Sequence, residues 1–149
     1  MVDIYNLDAL TLDGEKTKVT VASGPVIIRD GKVLLHKAPD TGKYQFIGGR
    51  VDDGMSIREN AVFKALEDLG IKIKLVDDID PLIVIGKIQR DGKEDNLFLV
   101  HYLAKIVEEP EERKYDWFTL DQIKKMTEEG MVPSANVLIA SEHFLKVTS

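Results

Sequence analysis

The sequence predicts an α+β fold, a mixed β-sheet sandwiched between helices. Three observations carry that expectation. Apolar runs are joined through Asp-Gly twice, at Asp30-Gly31 and at Asp91-Gly92, as β-hairpins are. A helix with both a start and a stop signal, Ser56 and Gly70, stands between the two hairpins. Two more helical segments close the chain, each opened by a hydroxyl residue, Thr119 and Ser134.

Each element follows in order. Lys18 to Arg29 is rich in valine and isoleucine and pairs through Asp30-Gly31 with Lys32 to Lys37. Pro39 to Lys43 reads as a loop, and Tyr44 to Ile47 as a short strand running into Gly48-Gly49. Asp52-Asp53-Gly54 is a turn. Ser56 caps a helix over Ile57 to Leu69, with Glu59 three residues on as in a capping box. Ala61, Ala65, Leu66 and Leu69 are its expected apolar face, and Gly70 ends it. Ile71, Ile73 and Leu75 alternate with lysines as in a half-buried strand. Pro81 to Ile88, Asn96 to Ile106 and Tyr115 to Phe118 complete a mostly antiparallel set. Thr119 and Gln122 form a second capping box before Leu120 to Met126, and the last helix runs from Pro133-Ser134 to about Val147.

The length of 149 residues predicts one domain, with residues 1–17 as an N-terminal extension or edge strand. The net charge of -6 argues against a nucleic-acid polymer or an anionic membrane as partner. The absence of cysteine excludes disulfides, thiolate metal sites and a cysteine nucleophile. The N-terminal residues show no basic segment followed by an apolar run, and no run approaches the roughly 20 apolar residues of a bilayer span. The expected location is the cytoplasm.

Positions 64, 67 and 68 lie at i, i+3 and i+4 and share one helix face, so Lys64, Glu67 and Asp68 are expected together. Gly48 to Ile71 resembles the Nudix box, G-x5-E-x7-R-E-U-x-E-E-x-G-U with U bulky and aliphatic. Gly49, Glu67, Gly70 and Ile71 match it, and Asp68 replaces a glutamate conservatively. Met55 and Lys64 stand where two glutamates belong, Phe63 replaces the arginine, and Ala65 takes the aliphatic position. The hairpin Val26 to Leu35 and the step Asp116-Trp117-Phe118-Thr119-Leu120 are similar to family features, so the resemblance spans roughly Val19 to Leu145.

The resemblance implies a Nudix fold and divalent-metal-dependent hydrolysis of a nucleoside diphosphate linked to another moiety. Mg²⁺ or Mn²⁺ would be the cofactor, a small nucleotide-type molecule the partner, and a homodimer compatible. Such chemistry needs several carboxylates, because a hard cation prefers oxygen and must offset the diphosphate charge. Glu67 and Asp68 are the candidate catalytic residues and metal ligands, with Asp52 as a third ligand; Asp53 and the acidic run Glu108 to Glu112 are further sources. The resemblance assigns Gly48, Gly49, Arg50, Tyr44 and Phe46 to ligand binding, with core packing an equal reading for the two aromatics; Lys64, a departure from the box, is a candidate ligand contact by its charge. The three histidines are read as structural or surface residues.

An ammonium has donors only and cannot ligate a cation. Lys64 in the box therefore predicts impaired or altered hydrolysis. The alternative is a non-catalytic nucleotide-binding or sensing module, in which Lys64 pairs with Glu67 and Asp68 or contacts phosphate. An isomerase on the same fold would lean on a cysteine, which this chain lacks.

Overall fold

The computed structural model describes residues 6–149. Among them the strands are β1 (Asn6–Leu10), β2 (Lys16–Arg29), β3 (Lys32–Lys37), β4 (Tyr44–Gln45), β5 (Gly49–Arg50), β6 (Lys72–Leu75), β7 (Leu82–Arg90), β8 (Lys93–Glu108) and β9 (Asp116–Phe118). The helices are α1 (Ile57–Leu69), α2 (Leu120–Glu128) and α3 (Ala135–Thr148). Residues 1–5 of the expected N-terminal extension lie outside the described residues, and β1 pairs antiparallel with β2.

Local chemistry explains the punctuation. Asp30, Gly31, Asp91 and Gly92 all have positive φ, the conformation a two-residue hairpin turn with a right-handed twist requires. Ser56 accepts from the Glu59 amide at the start of α1, and Gly70 ends that helix in the left-handed region at φ 69°. At α2 both bonds of the Thr119–Gln122 capping box form.

The long strand β2 lies at the centre. It pairs antiparallel with β1, β3 and β5, and parallel with β8 over Val19↔Asn96 to Ile27↔Ala104. β8 carries β7 and β6 antiparallel on its other edge, while β3 carries β4 and β9. The sheet is mixed and mostly antiparallel, as expected, with β2 and β8 as a parallel pair. A parallel partner needs a long crossover, and α1, β6 and β7 all lie in the connection between β2 and β8.

Period-two alternation splits the core between the two faces of the sheet. Val26, Val33, Leu35, Phe46 and Leu103 pack with Ile123 of α2 and Val137, Ala140 and Phe144 of α3. Their neighbours Ile27, Leu34, Ile47 and Ala104 face the other way and pack with Ala65 of α1, Ile71 and Tyr115. The sandwich is therefore α1 on one face and α2 with α3 on the other. On α1 the buried residues are Asn60, Ala61 and Ala65, whereas Leu66 is 47% exposed, contrary to the expected apolar face. Two alanines bring the helix close to β2, and Leu66 lies about 100° around the helix from Ala65. No helix among the described residues is long and apolar enough to cross a membrane.

Candidate functional site

The site is built where β2, the glycine loop and α1 meet. Gly24 lies in the interior of β2, a position that marks close approach of another backbone. A Cβ on Gly24 would stand 2.1 Å from the Ile47 carbonyl oxygen and 2.9 Å from Gly48 Cα. Gly48 itself has φ 154° and would meet the Ser23 carbonyl. Two backbones thus cross with no room for a side chain between them.

Asn60 holds this crossing to the helix. Its side chain is fully buried; Nδ2 donates to Ser23 Oγ at 3.0 Å and to the Gly49 carbonyl at 3.2 Å, and Oδ1 accepts from the Asp52 amide at 3.2 Å. Ser23 Oγ donates in turn to the Ile57 carbonyl at 2.7 Å. Sequence reasoning missed both residues. The signal available was a polar residue within each of two apolar patterns.

The charged face of α1 differs from the expected arrangement. Lys64 Nζ lies 3.4 Å from Asp52 Oδ2 and 3.4 Å from Glu67 Oε1, instead of between Glu67 and Asp68. The side chain runs over Gly49, where an added Cβ would meet Lys64 Cε at 3.4 Å. Helical side chains lean toward the N-terminus, which brings the lysine to the Asp52 loop. Burial pulls the Lys64 pKa down, but Asp52 and Glu67 outweigh it and the net shift is upward, so the ammonium stays charged.

Asp68 points elsewhere. Partial burial raises its pKa, the neighbouring His36 opposes that rise, Glu67 adds to it and Lys64 opposes it. His36 on β3 is buried, with Nε2 3.3 Å from the Phe46 carbonyl. Burial lowers the His36 pKa, against the pull of Phe46 and Asp68. Two of the other acids are committed. Glu109, the best-placed of the acidic run by chemistry, pairs with Arg29 at 2.7 Å and Arg113 at 3.1 Å and accepts a short bond from Tyr115. Glu108 pairs with Lys72. Asp53 is exposed in its turn, and Arg50 sits on β5 opposite Ala22.

These donors do not fit a divalent ion as they stand. Asp52 and Glu67 share an ammonium, and no three His, Asp or Glu side chains among the described residues converge enough to hold a metal.

Beside the glycine loop lies a cavity of about 280 Å³. Its lining includes Gly48, Gly49 and Phe46, Leu97 and Leu99 of β8, and His101, Asn136 and Val137. His101 is buried, 3.3 Å from the Asn136 side-chain nitrogen, with its ring 5.3 Å from that of Phe46. Burial depresses its pKa to about 4, so the imidazole is neutral at pH 7. Of the two expected aromatics, Phe46 lines the cavity, while Tyr44 packs edge-on against Phe118 at 5.0 Å and lies under Lys37.

Neutral burial of His101 has a measurable consequence. A histidine whose folded pKa is depressed contributes stability that is complete above pH 6.5 and is lost as pH falls from there to about 4. Urea midpoints across that range should fall steeply for the wild type and more gently for His101→Gln; parallel curves would contradict the assignment.

The NUDIX domain model matches residues 18–138. The chain belongs to the Nudix family. Solved Nudix structures share its fold: a NUDIX hydrolase from Nitrosomonas europaea is 21% identical, with a TM-score of 0.64 over 83% of this chain and 88% of that one. A NUDIX-family hydrolase from Clostridium perfringens is 18% identical, TM-score 0.60, over 87% and 97%. The C. elegans Ap4A hydrolase is 20% identical, TM-score 0.59, over 85% and 98%. No curated protein matches the chain significantly. At these identities the Nudix neighbours establish fold alone.

Proposed function

We propose that this Nudix domain binds a small nucleotide-type ligand and releases it largely uncleaved. The observation that carries the reading is the continuity of the cavity with the glycine loop. Phe46, Leu97, Leu99 and Val137 offer apolar surface, and His101 and Asn136 offer one neutral acceptor-or-donor pair at the wall. That combination suits a flat heteroaromatic ring with polar edges. Gly48 and Gly49 line the same cavity without side chains and leave backbone surface for a diphosphate beside Lys64.

Cleavage would need a cation on the bridging oxygens. Two of the carboxylates that would hold Mg²⁺ or Mn²⁺ are already paired with the Lys64 ammonium. One Nudix neighbour is by name an Ap4A hydrolase and another a UDP-X diphosphatase, so a nucleotide with linked phosphates is the class of ligand we assign. Metal-assisted hydrolysis is the second reading, favoured by the nearness of Asp52 and Glu67 to one common point.

Calorimetry with nucleosides and nucleoside diphosphates tests the binding reading. We expect Asn136→Ala to weaken nucleotide binding about tenfold, the loss of one well-placed hydrogen bond in a desolvated site. No detectable heat or thermal shift with any nucleotide would overturn it. A metal-dependent rate that vanishes in Glu67→Gln would favour hydrolysis instead.

A further inference from the structure

We propose that the Lys64 ammonium is the site's built-in cation: it meets the ligand's diphosphate directly, and it keeps divalent ions out. The inference deepens the binding reading and rests on it.

The first support is position. Nζ lies between one carboxylate of the loop and one of the helix, 3.4 Å from each, and only 14% of the Lys64 side chain is exposed. A long flexible side chain is normally solvated, so one this covered is held in a defined position between its two carboxylates. Its Cε and Nζ lie against Gly49, at 3.4 and 3.8 Å from where a Cβ would stand, and Gly49 lines the cavity. Lys64 does not itself line the cavity, so a ligand whose ring fills it meets the ammonium by running its phosphates past Gly49.

The second support is capacity. An ammonium has three donors, and the two carboxylates engage two of them. Both contacts are longer than the roughly 2.7–2.9 Å of a tight charge-assisted bond, so a phosphate oxygen competes for the proton donors on good terms.

The third support is exclusion. A divalent ion placed between Asp52 and Glu67 would meet the ammonium at contact distance, where like charges repel strongly in a partly desolvated site. The same two carboxylates that would bind metal thus serve to orient Lys64. The substitution Lys64→Glu removes the ammonium and adds a carboxylate beside those of Asp52 and Glu67. The cluster then offers only oxygen donors, of the kind Mg²⁺ and Mn²⁺ prefer.

The test uses the full chain, pyrophosphate as the phosphate probe, and Mn²⁺ followed by electron paramagnetic resonance. Wild-type protein should bind pyrophosphate equally in Mg²⁺ and in EDTA and leave the free-Mn²⁺ signal unchanged. Lys64→Met should lose about tenfold in pyrophosphate affinity, one charge-assisted contact's worth. Lys64→Glu should deplete the Mn²⁺ signal stoichiometrically and bind pyrophosphate only with metal. Lys64→Met retains the aliphatic stem, so it stands in if Lys64→Glu fails to fold.

EDTA-sensitive pyrophosphate binding by the wild type, or Mn²⁺ bound to the wild type, overturns the inference and leaves the cavity reading intact. Pyrophosphate that fails to bind the wild type in either buffer also overturns it. Nucleosides that fail to bind as well would sink the nucleotide reading with it.

Discussion

Gly24→Ala should cost about 3–5 kcal/mol, a large part of the stability of a domain this size. The added Cβ would stand 2.1 Å from the Ile47 carbonyl oxygen and 3.0 Å from its carbonyl carbon, and backbone cannot swing aside as a long side chain can. Relief requires β2 to part from the glycine loop, which would break the Ser23↔Gly49 pairing of β2 with β5. Chemical denaturation checks this directly. A loss under about 1 kcal/mol, the scale of an ordinary surface change, would mean that the crossing of β2 and the loop is looser than the geometry indicates.

Asn60→Leu should be the second most damaging change. Leucine is close in volume but offers no partner to the Ser23 hydroxyl, the Gly49 carbonyl or the Asp52 amide, all of which Asn60 engages. Leaving such a group unpaired in the interior costs about 1–3 kcal/mol, so a total loss of roughly 2–4 kcal/mol is expected once some find water. The same substitution releases the loop that carries Gly49 and Asp52, so nucleotide affinity should fall together with stability. Calorimetry on protein that remains folded separates the two effects. Unchanged affinity in a destabilised Asn60→Leu would show that the latch supports the fold without ordering the ligand site.

The fold was legible because its signals are local. Both Asp-Gly turns, the Ser56 cap, the Thr119–Gln122 capping box and the Gly70 stop depend on residues within a few positions of one another, and all form as their types dictate. The parallel pairing of β2 with β8 was less legible. It joins Val19 to Asn96, and no short-range pattern encodes which distant strand a valine-rich run will choose.

The site was legible in part for the same reason. Glu67, Asp68 and Lys64 could be placed on one helix from spacing alone. Spacing could not reveal that Asp52 would take the far side of the ammonium, nor that His36 of β3 would lie near enough to act on Asp68. Glu109 reads as a spare acid in sequence; only the packing of Arg29 and Tyr115 around it shows that it is engaged. His101 and Asn136 lie 35 positions apart and meet across the cavity wall. Side chains that act through space carry their meaning in the tertiary arrangement, which the linear pattern does not express.

A Nudix domain that holds its nucleotide-type ligand without a metal, and without cutting it, has a distinctive signature in phosphorus NMR. A panel of nucleoside diphosphate-linked compounds and dinucleotides, each with Mg²⁺, with Mn²⁺ and with EDTA, brings it out. At least one ligand should show broadened or shifted resonances, with the same occupancy in EDTA as in Mg²⁺ and no new phosphate signals over time. Cleavage products that appear only with metal and vanish in Glu67→Gln would contradict metal-free binding and restore the hydrolase.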